Sequence, residues 1–511
     1  MAVAASIQSL AGQRRLRLGL LAALLAMGAL ITGTVAGALS ASGRPTGILL
    51  IAAMALPIVI WRSPQAAVVI ALLAATMIEQ IPVDPVPLKS LPVPLLTDQL
   101  PLFTSLNDGV GLSGVLLNPI ELLVLLALLV WVLHAALDRR IALPRSPLAV
   151  GFLLLFGLAL FAEIRGLAAG ADLRESLREL RPFVYLGIFY FLAAQLLTRP
   201  GMLRVLLWTL VIGSGIKGMQ GTLEFFGIRG SLLRPEAILA HEEAVFFGVF
   251  LLLTAALWIF DGPSRLRAVA TALAPLVLIA NVGNSRRSAW LILGAGLIAL
   301  YAIACVRLPH RRKSLVAGGL LIGGLVGLVY LPLFWNGSGG FSQPARAIRS
   351  IVDPDPRDFA SNLYRQQEDA NLQLNIQRSM PLGAGFGVPI DYALPIQDLT
   401  RSNPYLRFVP HNTILYLWMR LGLLGTLAFW WLMGAAFMAA CRLARFPDRR
   451  LALFGIIAVC ALIAYLLEGY YDLGLSWFRI GVFMGCLLGG VETAGRLSRM
   501  SDARVPAARA A

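Results

Sequence analysis

Cysteine is scarce in this chain. Only four occur in 511 residues, Cys305, Cys441, Cys460 and Cys486. They fall within apolar runs or at their basic ends, so no disulfide framework is implied. Charge is scarce as well: 14% of residues are charged, against about 25% in a soluble domain. That excludes an ordinary water-soluble globule. Histidine occurs at four positions, His134, His241, His310 and His411, and no His/Cys/Asp cluster has ligand spacing, so no metal site and no cofactor are expected. No internal repeat is visible. The G-x-G-x-G of Gly383, Gly385 and Gly387 lacks the preceding strand of a βαβ unit and reads as a tight turn rather than a dinucleotide site.

Apolar sequence is what the chain has. Hydrophobic residues make up 58% of it, and the mean hydropathy is +0.77. Apolar runs of about 20 residues, enough to span a bilayer as a helix, recur along the whole length. They are continuous rather than alternating, which excludes a membrane barrel. The expected fold is an all-α polytopic membrane protein with about 12 to 14 transmembrane helices. The runs lie near 16–40, 46–61, 64–80, 113–137, 147–165, 182–198, 202–225, 239–260, 266–283, 287–305, 314–335, 411–440, 451–469 and 475–495. The weak pair over 46–80 also fits a re-entrant hairpin. The first run exceeds a signal-peptide core of about 7–15 residues and is expected to be an uncleaved span.

The net charge of +16 first suggests a nucleic-acid partner, but its distribution argues against one. The excess sits in alternate connections: Arg14, Arg15 and Arg17; Arg139, Arg140 and Arg145; Arg307, Arg311, Arg312 and Lys313; Arg442, Arg445, Arg449 and Arg450. This is the positive-inside pattern, and it puts both termini in the cytoplasm. Two long segments then face outward. One, near 80–112, is Pro-rich and expected to be extended. The other, of about 75 residues, is long enough to expect a function of its own. The expected organisation is therefore N-terminal transmembrane helices over 1–335, a periplasmic cap over 336–410, and C-terminal transmembrane helices with a cytoplasmic tail over 411–511. Within the cap, "SNLYRQQEDANLQLNIQRSM" reads as a surface helix with Leu363, Ala370, Leu374 and Gln377 near one face. Asp353-Pro354-Asp355 has the form of a metal–nucleotide-sugar motif, but nucleotide sugars are cytoplasmic and this loop is expected outside.

Several cations gather at the outer ends of the spans, where arginine is normally placed or paired for a reason. Arg229 and Arg234 precede the span at 239. Arg286 and Arg287 occupy the turn in "NVGNSRRSAWL", against the positive-inside trend, and Arg365 lies in the cap. His241 and His411 begin inward-running spans. Lys217, Gln220 and Glu224 share a helix face, which suits either a buried structural pair or a supporting site role. Cations, a histidine and a membrane face point to an anionic lipid headgroup, because the arginine fork matches phosphate oxygens. A neutral imidazole among them could serve as general base.

Three segments resemble the O-antigen ligase and polymerase family of bacterial membrane glycosyltransferases. They are "RPEAILAHEEAVFF", with Glu242 where the family commonly has asparagine; "NSRRSAWL"; and the loop "SNLYRQQEDANLQLNIQRSMPLGAGFG" followed by "PHNTILYLWMRLGLLG". The likeness covers roughly 150–495. It implies inverting, metal-independent transfer of a glycan from a polyprenyl-pyrophosphate donor to a glycan or lipid acceptor at the outer side of the inner membrane. By position, Arg234 and Arg287 (or Arg286) would hold the pyrophosphate and Arg365 would close the cap on it. His411 would deprotonate the acceptor, and Asn412 would cap its helix or orient the ring. Lys217, Glu224 and His241 would support the site. Partners would be the donor, the acceptor and the bilayer. A transporter or flippase of the same lipid is the reading from another class; transporters commonly show repeats and midplane charges.

Overall fold

The computed structural model describes residues 55–80, 102–110, 113–138, 144–227, 237–337, 340–401 and 404–509, with residues 19, 23, 26 and 27. The span expected over 16–40, most of that over 46–61, residues 81–101 of the Pro-rich segment, and Arg229 and Arg234 lie outside the described residues. Every regular element among the described residues is helical. Among the described residues ten helices are long and apolar enough to cross a membrane, which makes the chain an all-α polytopic membrane protein. The difference from about 12 to 14 expected spans has identifiable sources. Two fall largely outside the described residues. The run at 64–80 forms only the short helix Ala66–Met77. The run at 182–198 belongs to a longer helix, Leu173–Leu196, whose first half is rich in charge.

The chain divides into two units, Met1–Ala71 with Gln80–Pro82 and Gln99–Leu143, and Leu72–Glu79 with Val83–Asp98 and Pro144–Ala511. In the first, α1 (Leu56–Arg62) packs on α4 (Pro119–Asp138), with Trp61 against His134 at 4.8 Å between ring centroids. The helix α2 is Ala66–Met77, and the short α3 is Leu106–Val110. Asn118 joins the start of α4 to the Phe103 carbonyl at 2.9 Å.

The second unit holds α5 (Pro147–Ala168), α6 (Leu173–Leu196), α7 (Pro200–Gly227), α8 (Glu243–Phe260), α9 (Arg265–Gly283), α10 (Arg287–Arg307) and α11 (His310–Phe334). Then come two cap helices, α12 (Gln343–Val352) and α13 (Pro356–Ser379), and finally α14 (Thr413–Ala444), α15 (Arg449–Tyr471) and α16 (Phe478–Arg509). α15 and α16 are the most enclosed spans together with α8, while α11 lies open along its apolar length. Lipid tails are as apolar as leucine, so close backbone approach holds membrane helices together. α16 supplies it through Gly481, Gly485 and Gly489, a glycine every fourth residue. A Cβ at these positions would stand 2.8, 2.7 and 2.5 Å from the carbonyl oxygens of Pro182, Leu186 and Tyr190 on α6.

The cap returns to the bundle through Pro381–Gly387. Here α14 is interrupted at Gly422, at φ 67° and ψ −166°, and the returning segment fills the break. Ala384 donates to the Met419 carbonyl at 2.7 Å, Gly385 to that of Arg420 at 3.2 Å, and Leu423 to that of Pro381 at 2.9 Å. Phe386 donates to the Ala162 carbonyl on α5 at 3.2 Å. Backbone groups freed by the interruption are thus satisfied inside the protein, as the bilayer requires. The G-x-G-x-G segment is a turn, with φ of 81°, 85° and 73° at its three glycines.

A buried ion pair fixes this junction. Arg420 Nε lies 2.7 Å from Glu179 Oε2, with both side chains fully enclosed. Its terminal nitrogens donate to the carbonyls of Gly385 at 3.1 Å and Phe408 at 2.8 Å. Glu179 also accepts from the Tyr416 hydroxyl at 2.9 Å and the Gly387 amide at 3.2 Å. A buried charge pair is retained only when its remaining donors and acceptors are met in this way.

At Gly385, a Cβ would lie 2.4 Å from the Gly166 nitrogen in addition to facing the unfavourable positive φ. Gly385→Ala is expected to cost at least about 1–3 kcal/mol and to lower the melting temperature of the detergent-solubilised protein. An unchanged melting curve would contradict this packing.

Candidate functional site

At the cap end of the second unit, α14 begins. Asn412 is its N-cap and accepts from the Leu415 amide at 3.2 Å. Thr413 Oγ1 donates to the Gly469 carbonyl at 2.8 Å, tying the start of α14 to the end of α15. His411 is therefore placed by fixed backbone. Its own amide donates to Glu368 Oε2 at 2.9 Å, and its Nδ1 lies 3.1 Å from the same oxygen. The ring is 18% exposed, whereas Glu368 is fully enclosed. Tyr364 meets the imidazole edge-on at 5.7 Å. A carboxylate on Nδ1 fixes the ring's tautomer, leaves Nε2 as the basic nitrogen, and stabilises the imidazolium that forms when Nε2 takes a proton.

Glu368 comes from α13, whose buried face differs from the expected one. Leu363 is exposed, and the inward residues are Tyr364, Glu368, Asn371, Leu372 and Ile376. The reason is the extended strap after Gly387, whose backbone needs partners. Asn371 accepts from the Leu394 amide at 2.7 Å and donates to its carbonyl at 3.2 Å. Asn375 does the same for Asp391, at 3.1 and 2.8 Å. Polar residues therefore face inward, and a face chosen by apolarity is one position out of register. Asp355, from the D-x-D, caps α13 through the Asp358 amide at 2.9 Å and pairs with Arg349 at 3.2 Å.

A second imidazole and carboxylate stand beside the first pair. His241 Nδ1 lies 2.8 Å from Asp472 Oδ2, with the ring 36% exposed and the carboxylate 6%. The other Asp472 oxygen accepts from the Leu473 amide at 2.9 Å. Burial opposes ionisation of Asp472, yet His241, Arg365 and His411 together hold its carboxyl well below the usual range. Asp369, joined to Asn412 Nδ2 at 3.3 Å, is shifted the other way. Burial raises it, outweighing the opposing pulls of Asn412, Arg365 and His411. Arg365 thus stands within electrostatic reach of both Asp369 and Asp472.

Arg286 and Arg287 diverge. Arg287 reaches the cap: its guanidinium donates to Asn362 at 3.2 Å and Ser361 at 3.4 Å, and stands 3.6 Å from Asp358. Arg286 lies within electrostatic reach of the enclosed Glu468, one turn before Asp472. Lys217 belongs to a different cluster, paired with Glu79 at 2.8 Å and donating to Gln220 at 3.2 Å. Gln220 in turn donates to Glu224 at 2.9 Å. Beside them the enclosed Arg479 holds Glu242 at 3.0 Å and Glu243 at 2.6 Å. Among the described candidates, the structure brings together His411, Asn412, Arg365, His241 and Arg286. It sends Arg287 to the cap and Lys217 and Glu224 into a buried ionic cluster.

Glu368 and Asp472 were not singled out from sequence. The signal for Glu368 was faint: an acidic residue three positions after Arg365, in the helix expected in the cap. Asp472 had a better one, as a carboxylate at the end of a span expected to finish on the same side as His411.

Arg287→Ala is expected to free the start of α13 and speed proteolytic cleavage between α12 and α13 several-fold, whereas Arg286→Lys leaves the cleavage rate unchanged. Limited proteolysis in detergent reads this, and equal cleavage of the two variants would contradict the division of roles.

No protein-family model matches the chain. It is 24% identical over 276 residues to a protein named O-antigen ligase from Salmonella typhimurium. The match covers 52% of this chain and 64% of that protein's length, a little under two-thirds. The chain is thus a multi-pass helical membrane protein similar in sequence to an O-antigen ligase.

Proposed function

We propose that this protein is a metal-independent, inverting membrane glycosyltransferase. It moves a glycan from a polyprenyl-pyrophosphate carrier to an acceptor hydroxyl on the outer side of the bacterial inner membrane. The observation that carries the reading is the His411–Glu368 pair, an oriented and partly exposed imidazole with an enclosed carboxylate behind it. The sequence similarity to an O-antigen ligase supports the reaction class. It favours a ligase, acting on a lipid-borne core sugar, over a polymerase.

In the reaction, His411 Nε2 removes the acceptor hydroxyl proton as the oxygen attacks the anomeric carbon. The bond from that carbon to the phosphate oxygen breaks on the opposite face, and the pyrophosphate leaves on its carrier. A single displacement inverts the anomeric configuration. Glu368 stabilises the imidazolium so formed. Pyrophosphate is a good leaving group once its growing charge is met, and preorganised donors aimed at such charge are worth about 3–4 kcal/mol each. We assign this role to Arg286, within electrostatic reach of Glu468, and to Arg365, within reach of Asp369 and Asp472. Arg287 acts through the cap, and Arg234 is proposed for the same anion on resemblance alone.

Transfer by the purified protein in proteoliposomes, with a lipid-linked glycan and an acceptor, tests the assignment. His411→Ala should lose transfer, and Glu368→Gln should lower kcat by roughly 100- to 10,000-fold with little change in KM. Near-normal rates in His411→Ala would remove His411 from the role of base, and in Glu368→Gln would remove Glu368 from that of its stabilising partner.

A further inference from the structure

The His241–Asp472 pair is left without a role by that mechanism. It repeats the construction of His411 and Glu368: Nδ1 against a buried carboxylate, with a partly open ring. The two pairs nevertheless hang on different scaffolds. His411 is bound to the cap helix α13. The backbone leading to His241 is bound to the turn that carries Arg286. Asn284, enclosed in that turn, accepts from the Leu239 amide at 3.0 Å and donates to the Ala240 carbonyl at 3.0 Å. Two residues further on stands Arg286. Between them Ser285 is held at φ 56°, a left-handed conformation that a non-glycine residue adopts at a cost. One clamp therefore sets both His241 and Arg286.

Resting on the glycosyltransferase reading, we infer that His241, oriented by Asp472, contacts the donor's pyrophosphate as an imidazolium on the leaving-group side of the site. Arg286 shares that anion, and His411 works from the acceptor side. The groups facing His241 are consistent with this. Asp472, at the end of α15, holds Nδ1, with Glu468 one turn behind it. Arg365 on α13 and His411 at the start of α14 act on the same carboxylate. The Trp477 ring flanks the imidazole at 6.5 Å. The neighbouring acids Glu242 and Glu243 turn away to Arg479 and leave the ring's outer edge to a ligand. Asp472 is a positioning residue: both its oxygens are engaged, so it fixes the ring and supplies the counter-charge for a cation.

The test is binding of geranyl pyrophosphate, a soluble stand-in for the carrier, to the full-length protein in nanodiscs across about pH 5.5–8, where imidazole titrates. The probe's own last ionisation, of its terminal phosphate near pH 6, raises its negative charge with pH and would tighten binding to arginines. A contact from an imidazolium does the opposite. Wild type and His411→Gln should bind about tenfold more tightly at the acid end, the scale of one charge-assisted hydrogen bond. His241→Gln should lose that acid-side gain while matching wild type at the alkaline end, which also shows that it is folded. Asp472→Asn should weaken acid-side binding severalfold, and His241→Lys should bind tightly across the range. Acid-side tightening that persists in His241→Gln, or is absent from wild type, overturns the inference. A wild-type protein that binds no pyrophosphate at any pH overturns the donor assignment itself.

Discussion

The arrangement depends on one enclosed ion pair, Arg420 with Glu179. Neither charge could remain in the bundle without the other, and the energy of the pair is largely consumed by desolvation. Its effect is one of specification. Arg420 belongs to α14, Glu179 to α6, and the groups they bind belong to the strap and to Phe408, just ahead of His411. Four stretches distant in sequence are thereby held to one geometry. The interruption of α14 at Gly422 and the glycine turn that fills it are parts of the same joint.

From that joint the site is built outward in two halves. The cap contributes α13, which brings Glu368 to the imidazole of His411 and sets Arg365 near Asp472. The spans contribute the Asn284 clamp, which ties the backbone just before His241 to the turn carrying Arg286, while the His241 ring meets Asp472 at the end of α15. Arg287 crosses between the halves, from the start of α10 to the start of α13. Two adjacent arginines on one turn thus serve different purposes, because successive residues at the entry to a helix point in different directions.

Much of this was legible in the sequence. Continuous apolar runs disclose spans, because a bilayer tolerates little else. The histidine at the mouth of α14, the asparagine that caps it and the glycine turn were each visible from local chemistry. The rest depended on tertiary pairing. Glu368 is an acid on a polar helix, and nothing local shows that it faces inward. The apolar-face rule misplaced α13 because its inner surface mixes the apolar Tyr364, Leu372 and Ile376 with asparagines that serve hydrogen bonds to a strap. Lys217 and Glu224 share a face as their spacing implies, yet Lys217 found its counter-charge in Glu79, far away in the chain. The direction of Arg286 against Arg287 lay beyond any one-dimensional reading.

The gap in α14 also bears on how the protein is made. Until Pro381–Gly387 is seated, the carbonyls of Met419 and Arg420 have no amide to receive, and a helix with such a defect is poorly suited to hydrocarbon. The segment that repairs it is synthesised first, and so is Glu179. The ribosome therefore delivers the plug and its anchor before the interrupted helix they complete.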